Sequence, residues 1–289
     1  MASIKEFNRK IASLKNTRKI TRTMKMVSAS KLRRAQEAQR NARQYAREVN
    51  LLVHRLAGGM TDCLHPLMEA RPVVKRILLV VFTSDKGLCG GFNNNLLRFV
   101  AARAREFEAQ GIEVHYACCG KRAYNALRDR PGTDHYFENV TARPDPRDAR
   151  VIADTLGRDF LAGRYDQVLL ANNVFVSALS QLPSLQPMLP LRAAKFPPGT
   201  VVPVAEGFIA EPPVGELLAT LVPRILVFKI LHSLLENNAG EHAARMTAMD
   251  NATANAGQLI DSYTLRRNRA RQAAITTELI EIVSGAEAL

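Results

Sequence analysis

A glycine-rich turn that contains one lysine follows the first strongly apolar segment of the chain. Residues Ile77–Phe82 are apolar, and the segment TSDKGLCGGFNNN comes directly after them. A strand, a glycine-rich loop and a helix start form many phosphate-binding sites, because backbone N–H groups there can face an anion. The first question is therefore whether this loop binds a nucleotide.

The spacing of the glycines argues against a nucleotide site. A P-loop needs Gly-Lys followed by Ser or Thr, and no such sequence occurs around Lys86. A dinucleotide fingerprint needs Gly-x-Gly-x-x-Gly, which Gly87, Gly90 and Gly91 do not form. The favoured interpretation is a structural turn, in which the glycines permit positive φ and the asparagines Asn93 to Asn95 cap the next helix.

Other catalytic or metal-binding patterns are not found in the sequence. The six histidines include no pair at i, i+4, and Asp85 with Lys86 reads as a polar turn. We therefore predict no catalytic residue, no cofactor, no metal and no small-molecule ligand, so the chain is expected not to be an enzyme. The four cysteines lack metal-ligand spacing and are predicted to be reduced thiols; they are Cys63, Cys89, Cys118 and Cys119.

The positive charge of the chain is concentrated at its N-terminal end. The net charge is +13, and residues 1–57 hold 15 Lys/Arg against 3 Asp/Glu. Such a segment is expected to meet a polyanion or an acidic protein surface. A nucleic-acid-binding basic coiled coil is one alternative, although Phe7 and Tyr45 are the only aromatic residues there and no base-reading motif is present.

Prolines divide the chain into a compact middle and two long ends. The first proline is Pro66 and the last is Pro223. Because a proline inside a helix costs about 3 kcal/mol, the two proline-free ends predict two long helices. The predicted domains are an N-terminal helix at 1–65, an α/β domain at 66–213 and a C-terminal helix at 214–289. No run of 18 apolar residues is present, so no transmembrane helix is predicted.

Both ends have apolar residues spaced by three or four positions, which is typical of a coiled-coil seam. The stretch KNTRKITRTMKMV disturbs the N-terminal seam as a stutter would. Two long seams separated by an insert predict an antiparallel hairpin coiled coil. The N-terminal seam residues are Ile4, Phe7, Ile11, Leu14, Ala35, Ala38, Ala42, Tyr45, Val49, Leu52 and Leu56.

The middle of the chain alternates between strand-like and helical segments, which predicts an α/β layer with a mainly parallel sheet. The strand-like segments include Ile77–Phe82, EVHYAC and DQVLLANN. Two proline-rich stretches, LPSLQPMLPL and KFPPGTVVP, are interpreted as connections.

Five segments in order along the chain resemble the γ subunit of F-type rotary ATP synthases. They are IASLKNTRKITRTMKMVSASKLRRAQ, SDKGLCGGFN, FVSALSQLPSLQPMLPL, EHAARMTAMDNATANAGQLI and RNRARQAAITTELIEIVSGAEAL. The resemblance implies a long antiparallel coiled coil of the N- and C-terminal helices with an inserted Rossmann-like α/β domain. It also implies a non-catalytic central-stalk rotor subunit, which couples ion flow to conformational change in the catalytic β subunits.

The resemblance implies partners, a location and contact residues. The implied partners are the α and β subunits of the catalytic hexamer, the ε subunit and the membrane c-ring. The implied location is peripheral, at the cytoplasmic face of the bacterial inner membrane. Contacts with the β subunit are expected on a basic helix face, on the glycine-rich loop and near the C-terminus, at Met24, Lys25, Arg33, Arg34, Asp85, Lys86, Cys89, Arg245, Arg271 and Gln272.

Two residues depart from the pattern of that family. Arg267 stands where a Tyr is usual, and Gly240 stands where a Ser is usual. A glycine in the middle of a helix costs about 1 kcal/mol relative to alanine, so Gly240 requires an explanation.

Overall fold

Two long helices frame a five-stranded α/β domain in the computed structural model, which describes residues 4–57, 65–191 and 214–287. Cys63 and the segment KFPPGTVVP lie outside the described residues. In chain order the elements are α1 (Ile4–Ala57), a 3-10 turn (Pro66–Met68), β1 (Arg76–Phe82), α2 (Phe92–Ala109), β2 (Glu113–Cys119), α3 (Lys121–Leu127), β3 (Thr133–Phe137), α4 (Pro146–Leu161), β4 (Gln167–Phe175), β5 (Gln181–Leu189) and α5 (Val214–Glu287).

The chain divides into two compact units, and both long helices pass through both of them. The terminal unit comprises Met1–Ala29 with Arg245–Leu289, and the sheet unit comprises Ser30–Ala244. The predicted domain boundaries after residues 65 and 213 divide the chain differently, by element rather than by packing, and stay a prediction.

The sheet confirms the predicted α/β class. Its strand order is β3-β2-β1-β4-β5, and β1 pairs in parallel with both β2 and β4. The apolar run Ile77–Phe82 of β1 is buried throughout. A central parallel strand is covered on both faces by helices, which is why its sequence is continuously apolar rather than alternating.

The segment LPSLQPMLPL is not a connection, so that prediction was wrong. Residues Gln181–Leu189 form β5, which pairs antiparallel with β4 and places Pro183 opposite Asn173. Because β5 is an edge strand, the N–H that a proline lacks falls on the side without a neighbour. The prolines suggested a loop only because the edge position of this segment is a tertiary fact.

The predicted asparagine cap of α2 was also wrong. The helix begins at Phe92, and its N-cap residue Gly91 makes no side-chain capping bond. Asn93 lies inside the first turn, where its Oδ1 accepts a hydrogen bond of 2.9 Å from the backbone N–H of Ser84. The asparagine therefore holds the preceding loop rather than the end of the helix.

Helix α5 contributes its apolar face to the core of the sheet unit. Leu226, Ile230 and Leu234 are almost completely buried in the cluster that also contains α4 and one face of the sheet. Gly157 of α4 faces this helix, and a Cβ there would make an ordinary van der Waals contact of 3.7 Å with Leu226 Cδ2. Pro223 lies within α5, directly after the buried Val222.

Within the described residues, α5 is long and apolar enough to cross a membrane by length and composition alone, although a buried core helix passes the same test. The sequence predicted no transmembrane helix. The apolar part of α5 includes Leu226, Ile230 and Leu234, which are buried against the sheet. Burial against the sheet therefore accounts for part of the apolar composition of this helix.

The terminal unit is an antiparallel helix pair, as predicted. Lys25 Nζ lies 2.6 Å from Asp250 Oδ1, whereas Phe7, nearer the start of α1, packs on Tyr263, with ring centroids 6.3 Å apart. Contacts therefore move towards the start of α1 as they move towards the end of α5. This is the register of an antiparallel pair.

The disturbed part of the seam is filled by small polar residues. Thr21 and Ser28 are buried, and the hydroxyls of Thr21 and Thr253 are 2.7 Å apart. Each hydroxyl thereby gains a partner, so the helices stay close where apolar seam residues are missing. Ala38, which was assigned to the seam, is exposed, whereas Leu32 and Ala35 are buried.

Two of the glycines inside α5, Gly240 and Gly257, predict opposite responses to alanine. A Cβ at Gly257 would meet nothing within 4 Å, so Gly257→Ala is expected to stabilise the chain by about 1 kcal/mol through helix propensity. A Cβ at Gly240 would lie 3.0 Å from Phe92 Cε2, and Phe92 is buried. Gly240→Ala is expected to lose that gain, or to destabilise the chain by about 1 kcal/mol through overpacking.

Thermal unfolding of the two alanine variants beside the parent chain measures this difference. An equal rise in Tm for both variants would show that the Phe92 ring yields without cost and would contradict the close packing at Gly240.

Candidate functional site

A basic groove lies on the terminal helix pair. Five cationic side chains of α1 line it together with Met26, Asp250 and Thr253, around an open volume of about 980 Å³. Asp250 is the one acidic side chain in this lining, and it is paired with Lys25. The groove therefore keeps an excess of positive charge that suits an acidic surface. Its cationic residues are Lys15, Arg18, Lys19, Arg22 and Lys25.

Met24 and Lys25 lie beside this groove. The Lys25 ammonium contacts Asp250, and both side chains are about half exposed. Such a surface ion pair is worth less than about 1 kcal/mol, because water screens it. Met24 is half-buried in the helix pair, whereas Met26 is exposed at the groove. The exposed thioether at this level is therefore that of Met26.

Arg33 and Arg34 are exposed on α1 within the sheet unit. Arg33 Nε lies 3.3 Å from Glu37 Oε1, one helical turn away, and both side chains remain mostly exposed. An i, i+4 pair of this kind contributes about 0.3–0.5 kcal/mol and does not hold the arginine firmly. Both cations are available to an acidic partner.

The three predicted contact residues of α5 differ in exposure. Arg245 is buried, whereas Arg271 and Gln272 are exposed. Asn8 Oδ1 lies 3.5 Å from Arg267 Nη1. In this antiparallel pair the first described residue of α1, Ile4, therefore lies at the level of about residue 270 of α5. Helix α5 continues to Glu287, about 25 Å further at 1.5 Å per residue.

This final segment of α5, residues 271–287, is called the tip. Several large apolar side chains are exposed on it, which a helix in water does not normally present together. Its charged residues after Arg271 are acidic and few. The tip therefore presents a largely apolar surface. The exposed apolar residues are Ile275, Leu279, Ile280, Ile282 and Val283.

The glycine-rich loop is folded onto its own side chains. Ser84 Oγ donates a hydrogen bond of 2.6 Å to the carbonyl oxygen of Lys86, and Asn93 Nδ2 lies 3.2 Å from the sulfur of Cys89. Gly90 adopts a φ of 59°, in the left-handed region that glycine tolerates. The loop is thus held by internal polar contacts, as expected of a structural turn.

The predicted contact residues of this loop are unequally accessible. Lys86 is exposed, whereas the carboxylate of Asp85 accepts hydrogen bonds from Lys121 N at 3.0 Å and from Thr141 Oγ1 at 2.8 Å. Cys89 is only 2% exposed. Asp85 and Cys89 therefore serve the internal structure of the loop, and a partner that meets the loop would first touch its exposed side chains.

The ten predicted contact residues are distributed over both units of the chain. Half of them belong to the terminal unit and half to the sheet unit, and within each unit they lie on different segments. Their contacts with a β subunit stay a prediction.

Three consecutive residues of α5, Glu236, Asn237 and Asn238, were missed at the sequence level. Glu236 bonds to the end of β4, whereas Asn237 and Asn238 bond to the segments that follow β1 and β3. The available signal was a run of three polar residues between Leu235 and Ala239, both buried. A polar run on the buried side of a helix needs partners.

Burial predicts that Cys89 resists alkylation in the folded chain. We expect its thiol to react with a maleimide at least about 100-fold more slowly than that of Leu88→Cys, because reaction at Cys89 requires local opening. Leu88 is 63% exposed. Burial also raises the pKa of the Cys118 thiol to about 12, so labelling of Cys118 in the native chain should be slow as well. The measurement is peptide mass spectrometry of native chain after timed labelling.

Denatured chain provides the control, because all thiols should react there at similar rates. Fast native labelling of Cys89 would contradict the closed conformation of the loop.

Sequence comparisons match the whole chain to one family. A family model described as ATP synthase matches residues 3–289. The chain is 43% identical to the ATP synthase gamma chain of Trichlorobacter lovleyi, over 100% of this chain and 99% of the relative. It is 42% identical to the ATP synthase gamma chain of Rhodobacter capsulatus, over all of both chains.

Solved structures agree in fold. The chain is similar to a chain of the Tetrahymena thermophila mitochondrial ATP synthase central stalk and c-ring, with a TM-score of 0.62, 25% identity and coverage of 81% of this chain and 99% of that chain. It also matches a chain of the Euglena gracilis mitochondrial ATP synthase rotor, with a TM-score of 0.64, 19% identity and coverage of 94% and 98%. With the full-length matches to bacterial relatives, these findings show that the chain belongs to the ATP synthase gamma chain family, the central-stalk subunits of the rotary enzyme.

Proposed function

We propose that the chain is the non-catalytic rotor shaft of a bacterial F-type ATP synthase. In this role it couples ion flow through a membrane c-ring to conformational change in three catalytic β subunits. The observation that carries the proposal is the tip, a helix that continues past its partner with exposed apolar side chains. A lone helix of this kind suits the inside of a ring of subunits.

The surface chemistry of the tip supports rotation. Apolar contacts are non-directional, so they persist while one surface turns against another. Strong ion pairs would hold the shaft at particular angles, and the tip carries few charges after Arg271. The tip therefore combines a close fit with a low resistance to turning.

The basic groove supports a second contact at a lower level of the terminal helix pair. Its cations lie on one side of α1 and do not surround the pair. A one-sided charge meets an acidic loop on one β subunit at a time as the shaft turns. This asymmetry is what a rotor requires, because each β subunit must be in a different state.

The remaining partners follow from the same assignment. The α subunits alternate with β around the tip, and the ε subunit and c-ring bind the sheet unit. The complex places the chain peripherally at the cytoplasmic face of the inner membrane. The sheet unit is then the part of the rotor that is attached to the c-ring. The basic segment binds protein rather than nucleic acid.

Removal of the tip tests the proposed function. Truncation after Ala270 is expected to leave a complex that assembles and still hydrolyses ATP. ATP synthesis and rotational torque should fall severalfold, because the contact between the tip and the surrounding subunits is lost. The measurements are ATP synthesis in energised vesicles and single-molecule torque. Truncation after Glu287 is the matched control and should behave as the parent chain. Full synthesis and torque without residues 271–289 would argue against the assigned role of the tip.

The exposed polar residues at the base of the tip predict a separate effect. Arg271→Ala is expected to lower the rate of ATP synthesis about two- to tenfold, because an arginine at an interface commonly contributes about 1 kcal/mol or more. Arg269→Ala is the control, since Arg269 is equally exposed on the same helix and is not a predicted contact. Equal effects of the two substitutions would indicate a general charge effect and not a specific contact at Arg271.

A further inference from the structure

Helix α5 carries three consecutive polar residues where it crosses the sheet unit. These residues, Glu236, Asn237 and Asn238, are called the clamp. Asn237 is completely buried and Asn238 is 7% exposed. Asparagine is a poor helix former, and burial of a polar group is unfavourable without a partner. The clamp is therefore explained by its contacts and not by helix formation.

Two clamp residues hold the ends of the neighbouring strands β1 and β4. Glu236 accepts hydrogen bonds from Phe175 N at 3.3 Å and from Asn172 Nδ2 at 3.1 Å, near the end of β4. Asn237 Nδ2 donates a hydrogen bond of 3.1 Å to the carbonyl oxygen of Thr83, directly after β1. These bonds connect α5 to the two central strands of the sheet.

The third clamp residue holds a different segment. Asn238 Nδ2 donates to the carbonyl oxygens of Thr141, at 2.9 Å, and Ala142, at 3.3 Å. These carbonyls belong to the connection between β3 and α4. Three adjacent residues of one helix thus reach three separate segments of the sheet unit.

The clamp lies at the place where open α/β sheets usually bind ligands. The chain leaves β1 through α2 towards β2 and β3, and returns through α4 to β4 on the other side of β1. The crevice at the carboxyl ends of such strands, where the order reverses, is the common ligand site of this fold class. Here side chains of α5 bond to both strand ends at this position.

The directions of the clamp residues restrict rotation of α5 about its own axis. Successive residues of an α-helix point about 100° apart, so the three side chains cover about 200° of its circumference. Apolar contacts such as those of Leu231 and Leu234 tolerate small rotations, whereas hydrogen bonds lose strength steeply when their angles change. A turn of α5 in either direction would weaken bonds in all three directions.

We propose that the clamp fixes the rotational setting of α5 on the sheet unit, so that torque applied to this unit passes into the helix without slippage. The inference rests on the proposed rotor function. The three residues act as positioning residues, since their contacts are to the chain itself. Because α5 continues unbroken to Glu287, a fixed setting at the clamp is transmitted along the helix.

The hydrogen bonding of the clamp is incomplete, which supports a role in position more than in stability. The Oδ1 atoms of Asn172 and Asn237 are buried and have no hydrogen-bond partner among the described residues. A partly satisfied polar cluster is usually less stabilising than apolar packing of the same volume. Directional contact is what the polar residues add.

The test uses the complete ATP synthase with clamp variants in this chain. The double variant Glu236→Ala/Asn238→Ala is expected to retain ATP hydrolysis, while ions pumped per ATP and stall torque fall at least about twofold. Each hydrogen bond lost shifts the balance between the docked and the slipped helix by about fivefold. Ser233→Ala is the control, because its hydroxyl bonds to Lys229 O within α5.

Pumping per ATP and stall torque equal to the parent in an assembled double variant would overturn the inference. A second variant, Glu236→Gln, guards against simple loss of folding. Its amide oxygen can still accept from Phe175 N, and its amide nitrogen can donate to Asn172 Oδ1 once the amide group of Asn172 turns over, so near-parental torque is expected. A loss in Glu236→Gln as large as in the double variant would also overturn it, because the hydrogen-bond geometry would then not matter. Failure of the parent chain to support pumping would overturn the proposed function itself.

Discussion

The packing of α5 on the sheet is the constraint on which the remainder of the chain depends. Leu226, Ile230 and Leu234 are buried in the same core as β1 and β4, and each such side chain contributes about 1.5–3 kcal/mol. Helix α5 is therefore part of the core of an α/β domain in one part of its length and one of two paired helices in another. The segments of the sheet unit that bond to α5 depend on this anchoring.

The sheet unit uses a nucleotide-binding architecture for a mechanical purpose. The loop after β1 resembles a phosphate loop in its glycines, yet Ser84 and Asn93 bond to each other and to the loop itself. In the crevice beside this loop, Asn237 of α5 donates a hydrogen bond to the carbonyl oxygen of Thr83. The polar groups that would bind a ligand in other members of this fold class here fix a helix and a turn. The position that usually binds a ligand in this fold class is here an intramolecular contact between α5 and the sheet.

Long periodic features were predictable from the sequence, and features that depend on tertiary neighbours were not. The helix–domain–helix layout and the buried strands follow from proline positions and apolar runs such as Ile77–Phe82. Strand β5 was missed because Pro183 is acceptable only at an edge. The clamp was missed because the partners of Asn238 lie 96 and 97 residues away in sequence. The beta-subunit contacts rest on resemblance alone, since one chain carries no record of its partner.

Strand β5 also affects whether another strand can add to this edge of the sheet. An exposed edge strand offers unpaired N–H and C=O groups to any extended chain that reaches it, and so invites intermolecular strand addition. Pro183 and Pro187 have the same parity in the ladder, so both remove donors from the outer edge. The two absent N–H groups therefore make the addition of a further strand on this side less favourable. The two prolines therefore protect the free chain against self-association through this edge.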